Sequence, residues 1–182
     1  MKIADRLGSV PAIRTCSLAI LLALAVLPAV AQERDDDTAR KSKNGLAEGK
    51  LAGADVSVTY GRPKVNGREI WGALVPYGQV WRAGANEATT VTLSKDVKVG
   101  GKAVPAGTYA LFLLPQKESW TFILNGKANQ WGAFNYSEAD DVVRIAVEPL
   151  AADHAEEVTF SVAEGAIWLH WGEAKAGLPV TD

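Results

Sequence analysis

From residue 55 onward the chain repeats one pattern: apolar side chains at every second position over short runs, each run ended by a turn-forming pair. Val56, Val58 and Tyr60 alternate with Ser57 and Thr59, and Val91 and Leu93 alternate with Thr90 and Thr92. A period of two is that of a half-buried strand, and it excludes an amphipathic helix, whose apolar positions recur every 3–4 residues. Val97 to Val99 and Lys102 to Val104 flank Gly100-Gly101, a pair suited to the positive φ angles of a type I′ hairpin. The run 108–114 is apolar on both faces, which predicts a central strand. Trp120, Phe122 and Leu124 precede Asn125-Gly126, and Val143, Ile145 and Val147 precede the strand-stopping Pro149. Val158, Phe160 and Val162 then face Ile167, Leu169 and Trp171 across Glu164-Gly165, which predicts a second hairpin.

About eight or nine short strands with turns between them define an all-β chain, an antiparallel β-sandwich. A flattened barrel is the alternative, and the interruption over residues 62–87 counts against it, because up-and-down barrels use short hairpin connections. That interruption, within the stretch from Tyr60 to Thr90, carries what folding alone does not require. It holds Tyr60, Trp71, Tyr77 and Trp81, the cations Arg62, Lys64, Arg68 and Arg82, and the amide Asn86, spaced by glycines and prolines. Arg82 beside Trp81 and just ahead of Asn86 can bring a guanidinium, an indole and an amide to one patch, a set suited to a carboxylate, a phosphate or a sugar hydroxyl. Tyr60 and Arg62 stand at a strand end, where side chains project from a rigid base. The long loop is expected to be ordered, since Trp71, Leu74, Val75, Val80 and Trp81 give it apolar side chains of its own.

Ahead of the strands, Lys2, Arg6 and Arg14 precede the apolar run Leu18 to Leu27 and the small-residue site Ala29-Val30-Ala31. This is the order of a secretory signal peptide over residues 1–31, and the apolar run falls short of the roughly 20 residues a membrane anchor needs. Cleavage after Ala31 leaves 151 of the 182 residues, enough for one domain, and removes Cys16, the single cysteine. The processed chain is expected to be exported, periplasmic or secreted, with no membrane span. Its formal charge moves from −2 to −4, because the lost segment carries three cations against Asp5. An acidic balance of that size excludes a general nucleic-acid binder. Residues 32–53 are polar, with Asp35-Asp36-Asp37 ahead of Arg40, Lys41 and Lys43, and are expected to form a mobile leader. Residues 54–172 form the sandwich domain and residues 173–182 a tail without period.

Catalytic and metal signatures are missing. His154 and His170 stand apart from any close-spaced ligand set, so no metal site and no cofactor is expected. No G-x-S-x-G elbow occurs, and Gly100-Gly101-Lys102 lacks the flanking residues of a phosphate loop. Trp168 and His170 share one face of the last strand and offer a possible sugar platform, though neighbouring loops usually cover such pairs.

The segments YGRP at 60–63, GREIWG at 67–72, LVPYGQVWRAGANEAT at 74–89 and GGKAVPAGTYALFLLP at 100–115 together resemble the exported bacterial proteins of the domain of unknown function 2911 family. The resemblance runs from about residue 55 to residue 171, essentially the whole processed domain. It implies a β-rich envelope or secreted domain and supplies no activity. It carries over positions only, namely Tyr60, Arg62, Arg68, Trp81, Arg82, Asn86 and Thr89.

The first functional expectation is therefore a non-enzymatic exported binding module taking a small polar or anionic ligand, or a glycan, on Tyr60, Arg62, Arg68, Trp81, Arg82 and Asn86. A structural or protein-interaction domain of the cell envelope, partnered by an envelope protein, is the alternative. A hydrolase using Glu69 or Glu87 as its carboxylates comes third.

Overall fold

The computed structural model describes Arg34 and residues 36–182. The expected signal segment lies outside the described residues. Ten strands run in chain order: β1 (Lys43–Leu51), β2 (Ala54–Arg62), β3 (Thr89–Leu93), β4 (Val97–Val99), β5 (Lys102–Val104), β6 (Gly107–Pro115), β7 (Trp120–Asn125), β8 (Asp141–Val147), β9 (Leu150–Ala163) and β10 (Ala166–Thr181). The only helical element among the described residues is a 3₁₀ turn, Glu138–Asp140. A six-stranded sheet in the order β1-β2-β3-β6-β7-β8 packs on a four-stranded sheet in the order β5-β4-β10-β9, with every pairing antiparallel. The sheets do not close into a barrel, so the architecture is a sandwich.

Alternation explains the core. Val56, Val58 and Tyr60 of β2, Leu111 and Leu113 of β6 and Phe122 and Leu124 of β7 meet Phe160, Leu169, Trp171 and Leu178 of the other sheet in one contiguous buried cluster. Each such large side chain contributes about 1.5–3 kcal/mol by leaving water. The opposite face of β6 and β7 is also dry, because Ala110, Phe112 and Ile123 are covered by Val80, Ala133 and Tyr136 from loops. That cover is why 109–114 is apolar on both faces. The two hairpin turns take the expected backbone, with φ of 56° and 79° at Gly100 and Gly101 and 51° and 73° at Glu164 and Gly165.

Two segments expected to lack structure are strands. Residues 43–51, placed in the leader, form β1 and pair with β2 along its whole length, from Lys43↔Arg62 to Leu51↔Ala54. The inward positions of β1 are Gly45, Ala47, Gly49 and Leu51, and the first three are too small to announce an apolar face, yet small size is what the packing requires. A Cβ on Gly49 would lie 2.6 Å from the Val162 carbonyl oxygen of β9, so only glycine lets the two sheets approach this closely. Residues 173–182, expected as a tail, extend β10. Two bulges around Gly172 bend the strand, after which Ala176, Leu178 and Val180 are buried and Val180 pairs with Val99 of β4.

Candidate functional site

Between β2 and β3 the chain leaves the sheet for residues 63–88 and folds back onto it. Val65 donates its N–H to Glu156 O at 2.7 Å, Val75 to Ile70 O at 2.8 Å and Gly72 to Val75 O at 2.9 Å. Val65, Ile70 and Val75 are buried in the main cluster. Leu74, expected to pack with them, is 42% exposed and lines a cleft. Trp81 exchanges two backbone hydrogen bonds of 2.8 Å with Leu113 of β6. The next turn is held by Thr89, whose N–H reaches Arg82 O at 3.2 Å and whose hydroxyl donates to Ala83 O at 3.0 Å. This turn lies directly on β2: a Cβ at Gly61 would sit 2.2 Å from Ala85 O.

Beneath it, tryptophans from three elements pack together. Trp81 stacks on Trp171 of β10 at 5.5 Å and 16° and meets Trp71 edge-on at 5.9 Å, while Trp71 leans on Trp120 of β7 at 4.1 Å. The floor is a set of packed indole rings.

Above this floor opens a cleft of about 620 Å³. Its walls come from the strap ahead of β1 (Lys41, Ser42), the start of the long loop (Pro63, Lys64, Asn66, Arg68), its middle (Leu74, Val75) and its end (Trp81, Arg82, Gly84, Ala85, Asn86), with Trp171 from β10. Four cations line it and no carboxylate does. The Arg82 guanidinium meets no hydrogen-bond acceptor among the described residues, and its buried Nε has none. Burial, with no carboxylate to offset it, holds Arg82 below the ordinary guanidinium pKa, though arginine remains charged in proteins. The indole N–H of Trp171 is likewise buried without an acceptor.

Of the residues singled out in the sequence, Arg68, Trp81, Arg82 and Asn86 come together in this cleft. Arg68 steadies its own turn, with Nε donating to Val65 O at 2.9 Å and Nη2 to Lys64 O at 2.5 Å. Asn86 takes a left-handed φ of 64° and donates Nδ2 to Ser42 O at 3.2 Å, so it fixes the strap as well as facing the cleft. Tyr60 and Arg62 lie elsewhere. Tyr60 is buried, its ring edge-on to Phe160 at 4.9 Å, and Arg62 pairs with Glu157 of β9 at 3.4 Å. Trp168 is packed against Gly177 and His170 Nε2 lies 2.7 Å from Asp153 O, so neither stands out as a platform.

Lys41, Ser42 and Trp171 were not legible as site residues. The strap carrying the first two is held by Glu87, which is 3% exposed. Arg40 grips both Glu87 oxygens, at 2.7 and 2.6 Å, and Arg34 adds a contact at 3.2 Å. Hydrogen bonding from Arg40, with the charge of Arg34, holds the Glu87 carboxyl below its ordinary pKa of 4.5 despite burial. Glu87 is thus committed as a structural counter-ion. Glu69 is exposed and lines a different depression with His154 and Glu173, so the two carboxylates proposed for hydrolysis do not share a pocket. No group of three or more potential metal-ligating side chains converges among the described residues. No helix among them is long and apolar enough to cross a membrane.

The family model described as "Protein of unknown function (DUF2911)" matches residues 42–180. No curated protein and no solved structure matches the chain. The chain belongs to this family of unknown function, and the matched span covers all ten described strands but for Thr181 at the end of β10, and all of the cleft except Lys41.

Proposed function

We propose that this member of the DUF2911 family is an exported module that binds a small anionic ligand in the cleft between the strap and the long loop, without transforming it. One observation carries the reading: Arg82 is half-buried and, among the described residues, without a counter-ion in a cleft lined by four cations and no carboxylate. Leaving a charge desolvated and unpaired opposes folding. Such an arrangement is retained at a cost to stability and offset when an anion arrives. The ordered backbone around Trp81 and Arg82 supports the same reading, because a cation already fixed in place loses less entropy on binding. Support for export comes from the pattern of residues 1–31.

The test is thermal unfolding of the purified domain against a panel of anions and neutral sugars. A ligand at about a hundred times its Kd adds about 2.7 kcal/mol, which raises the Tm by roughly 5–10 °C for a domain of this size. Anions are expected to give that rise, neutral sugars none, and Arg82→Ala is expected to remove it. A neutral sugar that stabilises as well, or an undiminished rise in the variant, overturns the proposal.

An interaction domain of the envelope is the second reading. It is favoured by the exposure of Trp131 at 54% and Phe134 at 85% in the loop after β7. Replacing both with serine is expected to abolish co-sedimentation with envelope fractions on that reading and to leave anion binding intact on the first.

A further inference from the structure

The charge in the cleft exceeds what a single negative charge can balance. Of its cations only Lys64 has a carboxylate partner, Glu157 at 3.4 Å, which it shares with Arg62 at the same distance. Lys41, Arg68 and Arg82 have no carboxylate partner among the described residues, and no Asp or Glu lines the walls. The donors are in surplus too. Arg82 Nε and the Trp171 indole N–H are both buried without acceptors.

Resting on the anion-binding reading above, we propose that the ligand is an organic phosphate monoester, bound as its dianion. A phosphate dianion brings three strong acceptor oxygens and no donor, matching a wall that carries four cationic side chains and no carboxylate. The planar guanidinium fork of Arg82 suits two of those oxygens at once, and Lys41 and Arg68 supply the further charge. A monocarboxylate leaves part of that charge unbalanced. The cleft is also too large for the head group alone: about 620 Å³ lies in the range that holds a whole small molecule. Leu74, Val75 and Trp81 give the organic body an apolar wall.

Affinity then follows the charge of the ligand. No histidine lines the cleft, and the phosphate itself has a second pKa of about 6, so the charge of the ligand changes between pH 5 and 7.5. Two carboxylates contact wall residues from outside the cleft: Glu157 pairs with Lys64 and Arg62, and Glu156 accepts from the Asn66 N–H at 3.0 Å with His154 at 3.3 Å on its other oxygen.

Calorimetric titration with phenyl phosphate, phenyl sulfate and benzoate tests this, since the three share one body and differ in head group and charge. At pH 7.5 phenyl phosphate is expected to bind at least roughly tenfold more tightly than the other two, and at pH 5 the gap to phenyl sulfate is expected to close to about threefold. Arg82→Gln is expected to abolish the preference, and Lys41→Gln, at an exposed position that does not support the fold, to reduce it. Equal affinity for the three probes, or a preference that is independent of pH, overturns the dianion while leaving an anion cleft in place. Binding of none of them, or binding unchanged in both variants, overturns the anion cleft itself.

Discussion

Arg82 and Gly61 set the limits of what single residues do here. Arg82 is charged, half-buried and unpaired among the described residues, so truncating it removes a desolvation penalty along with the packing of its aliphatic stem. These effects oppose each other. Arg82→Ala is expected to change stability by less than about 1 kcal/mol in denaturant unfolding while losing the ligand. A loss above about 3 kcal/mol would mark it as a structural arginine. Gly61 is the converse case. A Cβ there would meet Ala85 O at 2.2 Å and its carbonyl carbon at 2.9 Å, and backbone cannot step aside as a flexible side chain can. Gly61→Ala is therefore expected to cost about 1–3 kcal/mol and to displace the turn that presents Arg82 and Asn86. A cost below about 0.5 kcal/mol in the same measurement would contradict that packing. Among the site residues, Arg68, Trp81, Arg82 and Asn86 could be picked out because cations, an indole and an amide cluster in a stretch with no period. Tyr60 belongs to the alternation of β2, and its even spacing from Val56 and Val58 already placed it on the buried face. Trp171 was hidden differently, since its place on a strand correctly gave a core residue but said nothing about a cleft reaching that core.

The element that most changes the picture is the strap with β1. Its sequence is polar and glycine-rich, so hydrophobic period alone could not reveal a strand whose inward residues must be small to let β9 approach. What anchors it is electrostatic and non-local. Glu87 lies 47 residues from Arg40 and 53 from Arg34, a separation at which no sequence spacing indicates a pair. Arg34 also donates to Ala88 O at 2.9 Å and Thr59 O at 3.2 Å, which ties the strap to β2 and the edge of β3. Removing the carboxylate takes from Arg40 and Arg34 the charge-assisted contacts they make with Glu87. Glu87→Gln is expected to cost about 3–5 kcal/mol and to loosen Lys41 and Ser42 from the cleft. The same group sets an acid limit. Because the folded state holds Glu87 below its ordinary value of 4.5, its contribution is complete above that pH and is lost as pH falls through the depressed value. Unfolding free energy measured from pH 6 down to pH 2 is expected to decline more steeply in the native chain than in Glu87→Gln. Parallel curves would show that the clamp contributes nothing to acid sensitivity.

At the scale of the whole molecule, the long loop behaves as part of the core. Trp71 and Trp81 belong to the loop, Trp120 to the six-stranded sheet and Trp171 to the four-stranded one, and all four are in ring contact within 6.1 Å or less of a neighbour. A flap merely resting on the sandwich would open before the sheets separate, through a local equilibrium of low free energy. Here the flap is joined to β6 through Trp81 and Leu113 and to β9 through Val65 and Glu156, and its apolar residues share one cluster with both sheets. Opening it breaks the same contacts that hold the sheets together, so a single cooperative transition is expected. The double variant Trp131→Phe, Trp168→Phe leaves only the four clustered tryptophans, and in it near-ultraviolet circular dichroism reports flap packing while the far-ultraviolet signal reports the sheets. The two denaturant curves are expected to coincide in midpoint and slope. A tryptophan signal lost at clearly lower denaturant than the sheet signal would mean that the flap detaches alone, and a preformed cleft of fixed cations could not then rest on it.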